Sequence, residues 1–164
     1  VETVKLIDFL NEIIQENLAY AKSKDISLLL EPSYTLKEFT VEIDKFAFKS
    51  ILENLLTNAV KFSQNQSKVF LRCKIETVNL FQKFNPHFFI IEIQDQGPGF
   101  KKEELSHLYT KFAKHSAKPT AGEHSTGLGL AIVKRYIDKM GGSIACRSLE
   151  GIGTTFVLRL PYSS

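Results

Sequence analysis

Apolar positions along the chain recur with two different periods, and the switches between them divide it into elements. From Val4 to Lys22, Leu6, Phe9, Leu10, Ile13, Ile14, Leu18 and Ala21 return at steps of three and four, which predicts an amphipathic helix. Ile26 to Leu30 reads as a short buried strand, closed by Glu31-Pro32-Ser33 because proline cannot donate to a ladder. Phe39 to Asp44 alternates strictly, the period of a half-buried strand. A second helix is expected from about Lys45 to Phe62, with Asp44 as its candidate N-cap. Its apolar stripe is Phe48, Ile51, Leu52, Leu55, Ala59 and Phe62.

After a polar turn, Lys68 to Val78 predicts a strand with Val69, Leu71, Cys73 and Ile75 on one side. An irregular connection containing Pro86 leads to Phe88–Gln94, whose almost wholly apolar run predicts a central strand, antiparallel to its predecessor. A short helix is expected near Lys101 to His107, and another from Ala131 to Met140, stopped by Gly141-Gly142. Two last strands, Ser143–Leu149 and Thr154–Pro161, flank a hairpin at Glu150-Gly-Ile-Gly153. Between Ala113 and Thr126 almost nothing is apolar, so a long surface loop is expected, of the kind that usually carries function.

Composition narrows this little. At 164 residues the chain fits one domain with a continuous core. A formal charge of +3 is too small to argue for nucleic acid, and no block of like charges suggests an interaction tail. No apolar run approaches the roughly 18 residues of a membrane span. The start at Val1 suggests an excised piece. Cys73 and Cys146, far apart and without a C-x-x-C or a histidine cluster, read as thiols of a reducing compartment.

Three stretches carry candidate chemistry. Asn54, Asn58 and Lys61 stand at i, i+4 and i+7, sharing a helix face about a quarter-turn from the apolar stripe. Asparagine is a poor interior helix former, so two of them one turn apart need a reason. Amide oxygens and an ammonium together suit a metal–phosphate group, since Mg²⁺ keeps waters and uses few protein ligands. The second stretch is Asp95-Gln-Gly97-Pro-Gly99, a lone carboxylate at a strand end opening into a turn that lets backbone approach a ligand. The third is Ser125-Thr126-Gly127-Leu128-Gly129-Leu130, where a glycine-rich loop enters a helix N-terminus, a ready anion site. No G-x-x-x-x-G-K-[ST] and no G-x-G-x-x-G is present, nor the H-R-D and D-F-G pair of Ser/Thr/Tyr protein kinases.

In this order the stretches resemble the boxes of the catalytic, ATP-binding domain of bacterial sensor histidine kinases, within the GHKL ATPase superfamily. Glu53-Asn54-Leu-Leu-Thr-Asn58-Ala-Val-Lys61-Phe62 resembles the N box and Asp95-Gln-Gly97-Pro-Gly99 the first glycine box. Tyr109-Thr-Lys-Phe112 is similar to the F box, Thr126-Gly127-Leu128-Gly129-Leu130 to the second glycine box, and Gly153-Thr154-Thr155-Phe156 to the closing strand. The resemblance spans essentially the whole chain. It implies an α+β fold, a two-layer α/β sandwich with a mixed, mostly antiparallel sheet of about five strands and three main helices. It implies ATP and Mg²⁺ as cofactors, with Asn58 as metal ligand beside Asn54, and Lys61 on phosphate. Phe62, in place of the commoner tyrosine, stands near adenine, Asp95 accepts the adenine amine, Gly97 and Gly99 line the base and sugar, and Phe112 of the F box is a further nucleotide-binding residue. Thr126, Gly127, Leu128 and Gly129 cradle phosphates, and Thr154 supports adenine through Asp95 or a water.

In the gyrase and mismatch-repair relatives, a glutamate four residues before the metal asparagine activates water. Here Asn54 holds that position, and Glu53 lies one residue off, about 100° round the helix. The resemblance therefore implies slow idle hydrolysis and a γ-phosphoryl kept for a histidine, whose neutral imidazole attacks without strong activation. That histidine belongs to a separate dimerisation domain of the same kinase. His87, His107, His115 and His124 lack the H-[ED]-x-x-x-P-like context of the acceptor. The expectation is thus a single catalytic domain, residues 1–164, cut from a longer, cytoplasmic or membrane-anchored kinase. It would not autophosphorylate alone, and its partners would be the dimerisation domain and a response-regulator receiver, with no nucleic acid and no direct membrane contact. Three alternatives share the boxes: an anti-sigma-type serine kinase, a non-catalytic nucleotide sensor, and an ATP-driven dimerisation clamp, the last disfavoured by Asn54.

Overall fold

The computed structural model describes residues 1–32, 36–76, 87–109 and 128–163. The chain opens with a strand absent from the sequence expectation, β1 (Glu2–Lys5), followed by α1 (Leu6–Ser23), β2 (Ser27–Pro32) and β3 (Thr40–Ile43). Helix α2 (Lys45–Phe62) comes next, then β4 (Lys68–Ile75), β5 (His87–Gln94) and a 3₁₀ turn, Lys102–His107. Helix α3 (Gly129–Lys139) and the hairpin of β6 (Ser143–Leu149) and β7 (Gly153–Tyr162) complete the fold. Five strands form one sheet in the order β2-β4-β5-β7-β6, with β2 parallel to β4 and every other neighbour antiparallel. Strand β5 is central, as its almost wholly apolar run suggested. This is the expected two-layer α+β sandwich with a mixed, mostly antiparallel sheet and three main helices.

Strands β1 and β3 stand apart as a two-stranded antiparallel ribbon, with Thr3 opposite Glu42. Four residues of β1 are too few for alternation to show, and α1 starts at Leu6 with no side-chain cap at Lys5 to mark the boundary. The proline at the end of β2 does not close that strand early, because β2 is a sheet edge, where a missing N–H is tolerated. At α2, Asp44 is the N-cap, its Oδ1 accepting the Ala47 N–H at 3.0 Å. Gly141, at φ +71°, ends α3 in the left-handed conformation.

All three helices lie on one sheet face: α1 packs on β2 and α2, α2 on β4 and β5, and α3 on α2 and β6. The core between the layers is built around Phe48, which stacks on Phe9 at 5.4 Å and meets Phe89 edge-on at 6.0 Å. All three rings are almost wholly buried. Truncation of Phe48 to alanine is expected to cost about 3–5 kcal/mol, as for a large ring removed from a close-packed core. Urea unfolding of the Phe48→Ala variant measures this, and a loss below about 1 kcal/mol would show that the ring does not join the two layers.

Candidate functional site

Asp95 follows β5 directly and is fixed by β7 from both its backbone and its side chain. Its N–H donates to the Thr154 carbonyl at 2.9 Å. Its Oδ1 accepts the Gly97 N–H at 2.9 Å and the Thr154 N–H at 3.2 Å. The turn after Asp95 is pressed between two other elements. A Cβ on Gly97 would stand 2.8 Å from the Phe62 carbonyl oxygen at the end of α2 and 3.1 Å from Asp95 Oδ1. Gly99, at φ +69°, would carry its Cβ into the Leu149 carbonyl at the end of β6. The Pro98 carbonyl accepts the Gly151 N–H of the hairpin turn at 2.7 Å. Glycine is therefore demanded here by close backbone approach as well as by torsion.

Burial pushes the Asp95 carboxyl up to about 6, and the Gly97 and Thr154 N–H groups pull the other way without restoring it. One thiol borders the carboxylate, and a tyrosine hydroxyl stands beyond it. Cys146, on the inward face of β6, has its thiol pushed up to about 12, by burial first and by the Asp95 charge second. The Tyr109 hydroxyl is pushed up to about 12 by burial and then by Cys146. Cys73 is a buried free thiol on β4, so the two cysteines stand on different strands without a disulfide.

The asparagine pair occupies a half-buried strip along α2. Asn54 Nδ2 donates to the Ser50 carbonyl at 2.7 Å, one turn back. A Cβ on Gly129 would lie 3.0 Å from Asn54 Oδ1 and 3.7 Å from Asn58 Nδ2, so the first residue of α3 sits over both amides. Leu128 precedes it with no side-chain cap, and the first N–H groups of α3 have no intrahelical partner. Lys61 and Phe62 are the last residues of α2, and the Lys61 carbonyl accepts the buried Lys24 ammonium at 2.7 Å. Glu53 points elsewhere, 3.8 Å from Lys49 on the outer helix surface.

Helix α2 thus joins two clusters. Toward its middle, Asn54 and Asn58 meet Gly129; at its end, the Phe62 carbonyl meets Gly97, which is bonded to Asp95, itself tied to Thr154, with Gly99 closing the turn on β6. One helical turn, about 6 Å of rise, separates Asn58 from Phe62. Phe112, Thr126 and Gly127 lie outside the described residues, as do His115 and His124. His107 is exposed at the end of the 3₁₀ turn, and His87 packs its ring on Tyr162 at 5.5 Å. The Thr154 side chain is buried, with its hydroxyl 2.9 Å from Ser148 Oγ. Ser148 is a residue that the motifs do not point to. Its only sequence signal is a polar residue at an inward position of β6, in step with Ile144 and Cys146, beside the hairpin.

Residues 43–164 match the model of the "Histidine kinase-, DNA gyrase B-, and HSP90-like ATPase" family, and the chain belongs to that family. Relatives of known name are sensor histidine kinases. The sensor protein EvgS of Escherichia coli K12 is 37% identical over 87% of this chain and 11% of its own length. The aerobic respiration control sensor protein ArcB of the same strain is 31% identical over 97% and 19%. Hybrid signal transduction histidine kinase B of Dictyostelium discoideum is 31% identical over 96% and 8%. The chain thus spans less than a quarter of these relatives. In structure it is similar to a mycobacterial sensor histidine kinase, MprB (TM-score 0.76, 23% identity, 98% of this chain and 97% of that one). It is also similar to full-length ShkA in complex with AMPPNP (TM-score 0.79, 24% identity, 99% and 31%). The fold is that of histidine kinase catalytic domains. Among the described residues, no helix is long and apolar enough to cross a membrane.

The raised Asp95 pKa has a defined consequence for stability. Its folded value, about 6, lies above the ordinary 3.8, so between those values the folded state holds the proton and the unfolded state does not. The penalty on folding is full above pH 6 and is relieved as pH falls through it. Asp95→Asn keeps an oxygen for both N–H groups and removes the ionisation. It is expected to be more stable than the native chain at pH 8, by at most about 3 kcal/mol, with the gap closing toward about pH 4. Urea titrations across this range check it, and a gap that does not change with pH would contradict the burial of a charge.

Proposed function

We propose that this chain binds Mg-ATP and transfers the γ-phosphoryl group to a histidine on a separate helical dimerisation domain of the same kinase, for relay to an aspartate of a receiver domain. The observation that carries the reading is the continuity of the α2 strip, which links the Asp95 turn at one end to the asparagine–Gly129 cluster at the other. Asp95 has one carboxylate oxygen committed to backbone, leaving Oδ2 to accept a purine amine. Phe62, Gly97 and Gly99 border the base, and Thr154 steadies Asp95. Gly129 and Leu128 present helix N-terminal N–H groups to phosphate, and Thr126, Gly127 and Phe112 are read from the motifs as further nucleotide-binding residues. Lys61 adds a positive charge at the phosphates. The donor set fits Mg²⁺ held by few protein groups: among the described residues there is no cluster of acids or histidines able to cage a metal, whereas Asn58 and Asn54 offer amide groups beside the phosphate site. Bound there, Mg²⁺ would neutralise developing charge on the phosphates.

In the transfer, a ring nitrogen of the acceptor histidine bonds to the γ-phosphorus as the bond to the β–γ bridging oxygen breaks, and ADP departs. Positioning and charge neutralisation are what such a step needs. No described carboxylate is aimed at the phosphate end to activate water, since Asn54 fills the glutamate position and Glu53 is turned to Lys49. This favours a histidine acceptor over the hydroxyl of an anti-sigma-type substrate, which would need a base to take its proton. The domain is read as a cytoplasmic piece of a longer kinase, without membrane or nucleic-acid contact of its own.

Titration with a non-hydrolysable ATP analogue, with and without Mg²⁺, tests the reading. Asp95→Asn is expected to lower affinity at least about 100-fold, because an unsatisfied purine amine and a misdirected amide together cost about 3 kcal/mol. Asn58→Ala is expected to leave metal-free binding nearly intact and to abolish the gain from Mg²⁺. Unchanged affinity in Asp95→Asn would remove Asp95 from the base contact. In a separate assay, the chain alone should release phosphate from ATP slowly and label no histidine of its own. Rapid phosphate release would instead support an ATPase.

A further inference from the structure

Lys24 caps the C-terminus of α1 and lies outside the residues proposed to hold nucleotide. Its side chain is almost fully buried, and its ammonium donates at 2.7 Å to the Lys61 carbonyl in the last turn of α2. Burying an ammonium is costly unless a strong acceptor offsets the lost hydration. A helix C-terminus provides one, because its last carbonyls lack intrahelical partners and carry the negative end of the dipole.

The backbone around Lys24 is held as firmly as its side chain. Among the described residues, the non-glycine residues with positive φ are Asp25, at +56°, and Gln66, at +62°. The two are bonded to each other, the Gln66 N–H donating to the Asp25 carbonyl at 2.8 Å. Left-handed backbone under a side chain persists where the surrounding structure fixes it. Beside them the Ser27 N–H donates to the Ser67 carbonyl at 3.1 Å, where β2 and β4 begin as parallel neighbours. The same junction reaches the Asp95 turn by two routes. The Lys68 N–H, at the first residue of β4, donates to Gln96 Oε1 at 2.8 Å. The Phe62 carbonyl, one residue beyond the acceptor of Lys24, is the seat of Gly97. Two helix ends, the start of β4 and the turn after β5 are thus tied at one place.

We infer that Lys24 is a positioning residue for the nucleotide: by holding the last turn of α2 to the end of α1, it fixes the distance between the Asp95 turn and the asparagine–Gly129 cluster, so that base and phosphates are bound together. The inference rests on the proposed ATP binding and names the residue that couples the two ends of that site. Lys24 acts through the Lys61 carbonyl, and no contact with base or phosphate is assigned to it. A ligand of two linked parts gains from its second contact only where the protein holds both subsites at the matching distance. Lys24 therefore matters to a nucleotide that spans the site and little to a ligand that fills one end. The bonds that orient the Asp95 carboxylate come from Gly97 and Thr154, not from Lys24.

The test compares a Mg-bound, non-hydrolysable ATP analogue with adenosine, which carries the base and sugar alone. Both are titrated well below the melting temperature, adenosine by nuclear magnetic resonance shifts, which follow weak binding. Lys24→Met keeps an unbranched stem and removes the ammonium. It is expected to weaken the ATP analogue by about tenfold or more and to change adenosine affinity by no more than about twofold. Lys24→Gln, shorter and uncharged, should act in the same direction and serves if the methionine variant does not fold. General loosening of the fold would weaken both ligands alike. Equal losses, or no loss for either ligand, in the variant that folds overturn the inference and leave the ATP reading standing. A native chain that binds neither ligand overturns the ATP reading, and the inference with it.

Discussion

The seat of Gly97 on the Phe62 carbonyl is the contact on which the site depends. It fixes the end of α2 against the turn after β5, with no side chain between them. The helix carrying the asparagine pair and the strand leading into Asp95 belong to different layers of the sandwich. Without a defined contact between them, neither cluster would have a fixed distance to the other. The helix end is held from two sides: Lys24, almost fully buried, donates to the Lys61 carbonyl, and the turn lies against the neighbouring Phe62 carbonyl. A cation at a helix C-terminus also answers the negative end of the dipole. The core supplies the rest of the anchorage. Burying a side chain such as Phe48 or Leu56 stabilises by roughly 1.5–3 kcal/mol, against well under 1 kcal/mol of helix propensity lost at each asparagine. One face of α2 can therefore carry residues that helices disfavour, because the opposite face holds the helix in place.

The charge in the turn obeys the same geometry. A lysine or arginine beside Asp95 would lower its pKa, but it would also occupy the second carboxylate oxygen. The structure answers Asp95 with two backbone N–H groups on one oxygen, which orients the carboxylate and leaves its ionisation penalised by burial. Charges on the outer sheet face are handled differently. There Arg72 pairs with Glu31, Lys74 and Arg147 approach Glu92, and Arg159 forks onto Glu76 while lying over the Phe88 ring. These exposed pairs contribute little individually. The stems of the long side chains cover apolar surface such as Ile90, which is buried on a face that no helix covers. A two-layer fold needs some such cover where a third layer would otherwise stand.

Most of this architecture was legible in the sequence because its periods are clean. The ranges of α2 and β6 agree with expectation to the residue, Asp44 caps as its position suggests, and the almost wholly apolar run of β5 places it at the sheet centre. The differences have local causes. Strand β1 was hidden because four residues running straight into a helix show no period. Strand β2 continues through Pro32 because edge status belongs to topology, which the proline alone does not reveal. Helix α3 begins at Gly129 rather than Ala131, since a glycine can open a helix while reading as loop. Ser148 was illegible as a site residue for a related reason. Its bonds reach Phe100 and Gly153–Thr154 across a turn and a strand pairing, and only the folded register brings those groups together.

One residue of offset in α2 bears on the proposed chemistry. Successive helix residues are turned by about 100°, so Glu53 and Asn54 cannot serve the same space. Glu53 is taken up by the outer surface and Lys49, while Asn54 is folded back on Ser50 with its oxygen toward Gly129. Exchanging the two identities would put a carboxylate among phosphates, where it would repel them and at the same time activate water. An amide does neither. It can bond to phosphate or metal without adding negative charge, and it has no basicity with which to accept a proton from water. On the proposed reading, a phosphoryl group held among amides, backbone N–H groups and a lysine persists until a nucleophile that needs no base is brought to it, and the specificity of transfer then rests with the partner domain that presents the imidazole.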